Sequence, residues 1–312
     1  MSWISMRPVA GALAGAAVAL WLRPADPHAV CGDRIFPATL AIDDPGVGDE
    51  LALPTVTWVP QNSTGSQELT TTFTYSKTIF PYFALSVADG PTWQNPGGYG
   101  WFPLVTEGKW NFFCFPEHEF MGSVGFVVTW NGTGTGTQVT STNSYSPVLN
   151  VGKGFGDLPT SLNILRPFAV TAAITSITPG QAVTNGVQNA TTFGFGLTLQ
   201  YSLPYYNEQV GEIGNGFFKH LIPIVETQLS TPVKNNFGMP FITTGTINPG
   251  AIWVGDYFQV GVEAIVPVNR FSGHNVGVIG QLHLYLDDMF PTTIGQPLLG
   301  PRGPAPQLPF GG

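Results

Sequence analysis

Charge is scarce in this chain of 312 residues, where only 10% are Asp, Glu, Lys or Arg, against about 25% in an ordinary soluble domain. A soluble surface needs charge to stay dispersed, whereas a surface turned to lipid needs almost none. Basic residues are the rarer sign: 11 Lys and Arg stand against 19 Asp and Glu, for a net charge of -8. No basic patch exists to neutralise phosphates, so nucleic acid is excluded as a partner class. Past Leu22 there is no long apolar run, which excludes a bundle of spanning helices. Cysteine is limited to Cys31 and Cys114, which excludes a disulfide-dense scaffold. There is no Gly-x-Ser-x-Gly nucleophile elbow and no glycine-rich phosphate loop leading from strand to helix. The sequence therefore points to no cofactor, no metal and no enzyme.

Hydrophobic residues make up 43% of the chain and aromatics 12%, with 39 glycines, and their order is that of strands. In Phe258 to Val268 one parity carries Phe258, Val260, Val262, Ala264, Val266 and Val268, and the other Gln259, Gly261, Glu263, Ile265 and Pro267. After a turn at 269–275, Val276, Val278, Gly280, Leu282 and Leu284 alternate with Gly277, Gln281, His283 and Tyr285. Side chains of a strand alternate between faces, so each run has one apolar and one wet face. The same pattern recurs at 51–59, 69–79, 82–88, 102–112, 120–130, 145–151, 165–174, 193–203, 221–229 and 251–254, about twelve strands in all. Most are near the 9–11 residues that a tilted strand needs to cross a bilayer, and the count is even, as in a single-chain barrel.

The fold class expected is all-β, a single antiparallel transmembrane β-barrel of about 12 strands. A secreted soluble β-sandwich, with the apolar face inward, is the competing architecture. Connections favour the barrel: long polar loops at 89–99, 131–144, 178–191 and 232–250 lie on one side, and short turns such as Phe80–Pro81 and Gly255–Asp256 on the other. Two connections, 152–163 and 205–220, are long on the short side, with room for small helices. Trp58, Trp101, Trp110, Trp130, Tyr201, Tyr205, Tyr206, Trp253, Tyr257 and Phe258 sit near strand ends, where interfacial girdles belong.

Arg7, the apolar stretch Val9 to Leu22 and the small residues Ala25 and Ala29 read as an export signal. The expected organisation is a signal peptide over 1–29, a periplasmic N-terminal segment over 30–48, the barrel over 49–290 and a flexible Pro/Gly-rich periplasmic tail over 291–312. The destination is the bacterial outer membrane, with its lipid as partner; no oligomeric state is read from the sequence. Cys31 and Cys114 would both be periplasmic, either paired or as two thiols, an exported protein permitting the bond.

The polar parity collects Glu107, Lys109, Glu226, Gln259, Glu263, Gln281, His283 and Asp287. These are the pore-lining candidates, since charged rings set selectivity in pores; the alternative is an internal network that plugs a narrow barrel. Ser123, Ser202 and Ser230 are the serines that could meet His283 if the strands aligned them for hydrolysis. Cys114, Glu117, His118 and Glu119 could form a metal cluster on paper, but strand alternation points them apart. Asn62-Ser-Thr64, Asn131-Gly-Thr133 and Asn189-Ala-Thr191 match glycosylation acceptors, and in an outer membrane they are loop residues.

Several turn and strand signatures resemble a known group. They are Ile42-Asp-Asp-Pro-Gly-Val-Gly-Asp-Glu-Leu-Ala-Leu-Pro54, Glu117-His-Glu-Phe120, Thr129-Trp-Asn-Gly-Thr-Gly134, Gly152-Lys-Gly-Phe-Gly-Asp-Leu-Pro159, Leu165-Arg-Pro-Phe-Ala-Val170 and Pro249-Gly-Ala-Ile-Trp253 with Val260 to Asn269. Over 43–290 the chain resembles the outer-membrane barrel proteins grouped with the meta-pathway of phenol degradation. The resemblance implies a channel or transporter for small molecules, with hydrophobic or aromatic solutes as candidates. It departs from outer-membrane barrels at the end, where 292–312 follow the last strand. Tyr99, Trp101, Phe237 and Phe241 are candidates for a greasy entry site. The alternative is a non-conducting barrel whose loops serve adhesion or envelope structure.

Overall fold

The computed structural model describes residues 29–61, 65–236 and 240–300. An N-terminal hairpin of β1 (Ala29–Cys31) and β2 (Arg34–Phe36) precedes β3 (Glu50–Val59), β4 (Gln67–Phe80) and β5 (Phe83–Asp89). A hairpin of β6 (Pro91–Asn95) and β7 (Gly98–Trp101) leads to β8 (Val105–Phe115), β9 (Phe120–Thr129), β10 (Ser144–Gly154) and β11 (Phe168–Pro179). The small hairpin β12 (Val183–Thr184) and β13 (Val187–Gln188) precedes β14 (Thr191–Tyr201), β15 (Leu221–Lys234), β16 (Thr244–Val254), β17 (Phe258–Pro267) and β18 (Gly277–Tyr285). Two short helices follow β14 and β18: α1 (Leu203–Gln209) and α2 (Leu286–Met289).

Leaving out the four small strands between β5 and β14 and the N-terminal hairpin, 12 strands pair antiparallel in chain order. β3 pairs with β18 on one side and β4 on the other, so the sheet closes. Closure removes the free edge that a bilayer would leave unsatisfied.

Burial decides between barrel and sandwich. On β14, Leu197 and Leu199 are 39% and 45% exposed while Thr198 and Gln200 between them are 0% and 1%. On β17, Val260 and Val262 are exposed while Gln259 and Glu263 are buried. Polar residues inside and apolar residues outside is the inverse of a soluble sandwich and the arrangement a lipid-facing barrel requires. The chain is a transmembrane β-barrel, and the sandwich reading is set aside.

Several boundaries differ from the sequence reading. β16 begins at Thr244 rather than 251, and β15 runs on to Lys234, so the loop expected over 232–250 is much shorter. Asn248, Pro249 and Gly250 interrupt the apolar alternation there, but the ladder with β15 continues through them. Gly250 is required, since a Cβ at that position would run into Val262 O on β17. β11 begins at Phe168, after a 3-10 turn over Thr160–Leu165. That turn and α1 lie in the two long connections of the short-turn side. α1 is capped by Ser202, whose hydroxyl accepts from Tyr205 N at 3.2 Å and satisfies an otherwise unpaired donor. The connection over 89–99 is ordered as the β6–β7 hairpin, with β6 continuing along β4 beyond β5.

Two segments lie elsewhere than expected. Residues 30–48 enter the barrel beyond β2 and return to its rim at Asp49. Wall side chains offer this segment hydrogen bonds, ion partners and an apolar patch. The tail is not free over 291–300. Leu298 and Leu299 donate their N–H groups to Thr78 O and Ile79 O at 3.2 and 2.8 Å, in the place along β4 where β3 has ended. Lys77 Nζ donates to Ile294 O and Gln296 O at 2.6 and 2.8 Å. Residues 1–28 of the expected signal peptide over 1–29, the acceptor at 62–64, Phe237 and the tail over 301–312 lie outside the described residues.

Candidate functional site

The lumen is the space that the barrel encloses, and the segment after β2 occupies its half at the short-turn end. Its base is clasped twice. Cys31 is joined by a disulfide to Cys114 on β8, 83 residues away in sequence. Arg34 is fully buried and its Nε stands 3.0 Å from Glu119 Oε2. The same guanidinium donates to Pro167 O at 3.0 Å and Arg166 O at 2.5 Å, and it lies 3.9 Å above the Tyr205 ring. Burial draws the Arg34 pKa down, and Glu119 opposes that shift. Glu119 also accepts from Gly156 N at 3.0 Å. One side chain thus ties the β1–β2 hairpin to three different connections of the short-turn side. Three residues of the candidate metal cluster have other partners: Cys114 is bonded to Cys31, Glu119 pairs with Arg34, and His118 faces Asp157 at 3.3 Å.

Above the clasp the segment meets the wall of β14 to β18. Gln259 donates its amide to Ala38 O and accepts from the Tyr285 hydroxyl at 2.5 Å. The consecutive N–H groups of Leu40, Ala41 and Ile42 all point at the Glu226 carboxylate, at 3.0, 2.8 and 3.2 Å. Thr198 adds a hydroxyl at 3.3 Å. Successive backbone N–H groups form an anion-binding concavity, and here its anion is a carboxylate from the barrel wall. Around it Leu40 packs into an apolar patch of Ile222, Ile224, Ile252, Val254 and Ile279. Two wall glycines make room: a Cβ at Gly196 would stand 2.7 Å from Ile42 Cγ2, and one at Gly261 would stand 2.5 Å from Leu40 Cδ1. Gly261→Leu is therefore expected to unseat Leu40 while the strands still pair, read as loss of the protection of a Thr39→Cys reporter from an aqueous thiol reagent in folded, detergent-extracted barrel. Unchanged protection would contradict the packing described.

The returning limb faces β3, β4, β5 and β8 less tightly. Asp43 pairs with Lys109 Nζ at 2.7 Å, Asp44 accepts from Gly46 N at 2.6 Å, and Asn111 donates to Pro45 O at 3.2 Å. Between this limb and the wall lies a cavity of about 160 Å³. The limb ends at Asp49, whose carboxylate is held by Lys77 Nζ at 2.6 Å and whose backbone carbonyl accepts from Leu286 N at 2.8 Å.

The eight pore-lining candidates divide accordingly. Glu107, Lys109, Gln281 and His283 line the cavity, where Gln281 also bonds Thr55 Oγ1 at 2.9 Å and His283 Nε2 stands 3.3 Å from Glu50 Oε2. Glu226 and Gln259 hold the inserted segment. Glu263 is buried beside Glu226 and Asn248. Asp287 lies past the last strand, in α2 at the rim, where its carboxylate accepts from Asp49 N at 3.4 Å. Burial there, with Glu50 and Asp288 close by, pushes the Asp287 carboxyl well above the usual carboxylate range. An acid with a raised folded pKa weakens the fold as pH rises above its unfolded value near 3.9. Asp287→Asn is expected to raise the temperature at which the folded band is lost on gels at pH 8, with little change at pH 4; equal shifts at both would contradict it. Ser123, Ser202 and Ser230 do not serve His283, whose ring nitrogens have no hydroxyl partner.

Sequence reasoning missed Arg34, the Leu40 to Ile42 backbone and Asp43–Asp44, because a loop carries no periodicity to announce that it lies inside. The glycines on the lumen parity of β14 and β17 were the available signal, since a wall that gives up side chains leaves room for something else.

No family model matches the chain, and no curated protein matches it either. Solved structures do. A KdgM porin is 12% identical over 74% of this chain and 98% of that one, with a TM-score of 0.41. LpxR from Salmonella typhimurium is 10% identical over 76% and 99%, with a TM-score of 0.42. The β domain of the Bordetella autotransporter BrkA is 10% identical over 77% and 99%, with a TM-score of 0.41. All are outer-membrane β-barrels, and the likeness concerns architecture alone.

Proposed function

We propose that this protein is an outer-membrane channel for small solutes, narrowed on its periplasmic half by its own N-terminal segment. The observation that carries the reading is the asymmetry of the seal. The segment is packed dry against β14 to β18 but leaves a polar cavity against β3, β4, β5 and β8. A lumen meant only as structure needs no such gap. Hydrophobic or aromatic solutes and membership of the phenol meta-pathway group belong to the same proposal; Tyr99, Trp101 and Phe241 at the outer end are exposed and available for a first contact. Residues 1–29 act as the export signal, and the protein carries out no catalysis.

Liposome swelling tests it. Proteoliposomes holding the folded barrel are expected to admit small sugars or aromatic acids faster than empty liposomes. Rates equal to empty liposomes would move the function to a non-conducting envelope barrel, the reading favoured by the apolar patch that closes around Leu40.

A further inference from the structure

The cavity of about 160 Å³ holds more negative charge than the protein balances. Asp43, Asp44, Glu50 and Glu107 line it, against the cations Lys109 and, when protonated, His283. Lys109 touches Asp43 at 2.7 Å, and its single charge is shared by Asp43, Asp44 and Glu107. Asp44 and Glu107 have no ion pair among the described residues, and Asp44 is 6% exposed. Buried charge without a partner is costly, so such groups are normally paired. A second observation points the same way. His283 is 6% exposed and lines the cavity, yet its Nδ1 has no hydrogen-bond partner. A buried ring nitrogen of this kind is rare unless something else fills its site.

The arrangement also says what kind of cation fits. Among the described residues no three His, Cys, Asp or Glu groups converge as a metal ion demands. The carboxyls are spread around a space equal to about five water molecules at ~30 Å³ each. Dispersed acceptors around a volume of that size suit an extended cation with several N–H donors.

We propose that the cavity between the N-terminal segment and the β3, β4, β5 and β8 wall is a binding site for a small organic ammonium ion. Asp44 and Glu107 receive its N–H groups, and the imidazole of His283 accepts a further hydrogen bond. Lys109 fixes Asp43 and sets one end of the site. The occupant touches both the inserted segment and the wall, so it strengthens the seat of that segment. The site does not depend on the barrel conducting, and binding is measured without reference to passage.

The test is calorimetric titration of the intact protein, folded in detergent micelles, with 1,4-diaminobutane as probe. Saturable one-to-one binding is expected, at least tenfold weaker in Asp44→Asn and in Glu107→Gln, and unchanged in Asp157→Asn at the periplasmic rim. Potassium chloride and sodium butanoate are expected to give no saturable heat. Each protein is first shown to run as a compact band before boiling; if Asp44→Asn does not, Glu107→Gln alone decides. No saturable binding to the folded parent, equal binding by potassium, or binding that survives the decisive substitutions would overturn the proposal.

Discussion

A Glu226→Gln barrel is expected to carry several-fold more current in planar bilayers than its parent. The carboxylate takes three backbone N–H groups and a hydroxyl, and hydrogen bonds to a charged group contribute about 1.5–3 kcal/mol each. Glutamine keeps the shape but offers one acceptor oxygen, and its amide turns donors toward donors. Losing about 3 kcal/mol from the seat raises the unseated fraction by roughly a hundredfold, at 1.4 kcal/mol per factor of ten. A Thr39→Cys reporter should react with an aqueous thiol reagent much faster when combined with Glu226→Gln than in the otherwise unaltered parent. Unchanged current together with unchanged labelling would show that the carboxylate does not hold the segment.

The second large effect belongs to Arg34 and Glu119. Arg34→Met leaves Glu119 buried without its cation, and breaking one side of a buried pair costs about 3–5 kcal/mol. The temperature at which the folded gel band is lost should fall by about 10 °C. Glu119→Gln should cost less, since glutamine still accepts from Gly156 N, and Arg34→Met combined with Glu119→Gln should recover much of the loss. Additive losses in the double variant would mean that the two residues act separately. The disulfide at Cys31 shields this clasp from complete release, because it closes a loop of 83 residues, worth about 4–5 kcal/mol in the chain-entropy picture.

The barrel itself was legible because lipid and water impose a strict period on each strand. The parities assigned within 193–201, 258–267 and 277–285 are those of the structure, lumen side included, while Leu203 and Leu286, read as strand, lie in short helices. The start of β16 at 244 was misplaced because Asn, Pro and Gly break the apolar alternation there while the pairing with β15 continues, and that of β11 at 168 because the apolar residues before it belong to a 3-10 turn. The contents of the lumen were not legible. Glu226 and Gln259 stand on the inner face by parity alone, but parity cannot tell a residue that faces water from one that grips a backbone. Those grips join positions about two hundred residues apart, and the partner is an irregular loop whose main chain supplies the donors.

Where that loop lies is the claim on which the rest stands, and a cross-link reads it directly. Leu40→Cys paired with Gly261→Cys joins the inserted segment to the lumen face of β17; Leu40→Cys paired with Val260→Cys probes the lipid face one residue away. In outer membranes under oxidising conditions the 40–261 pair should give a band of altered mobility that a reductant abolishes, and the 40–260 pair should not. Equal cross-linking of both pairs, or none at 40–261 in a folded barrel, would put the segment outside the lumen and contradict the account.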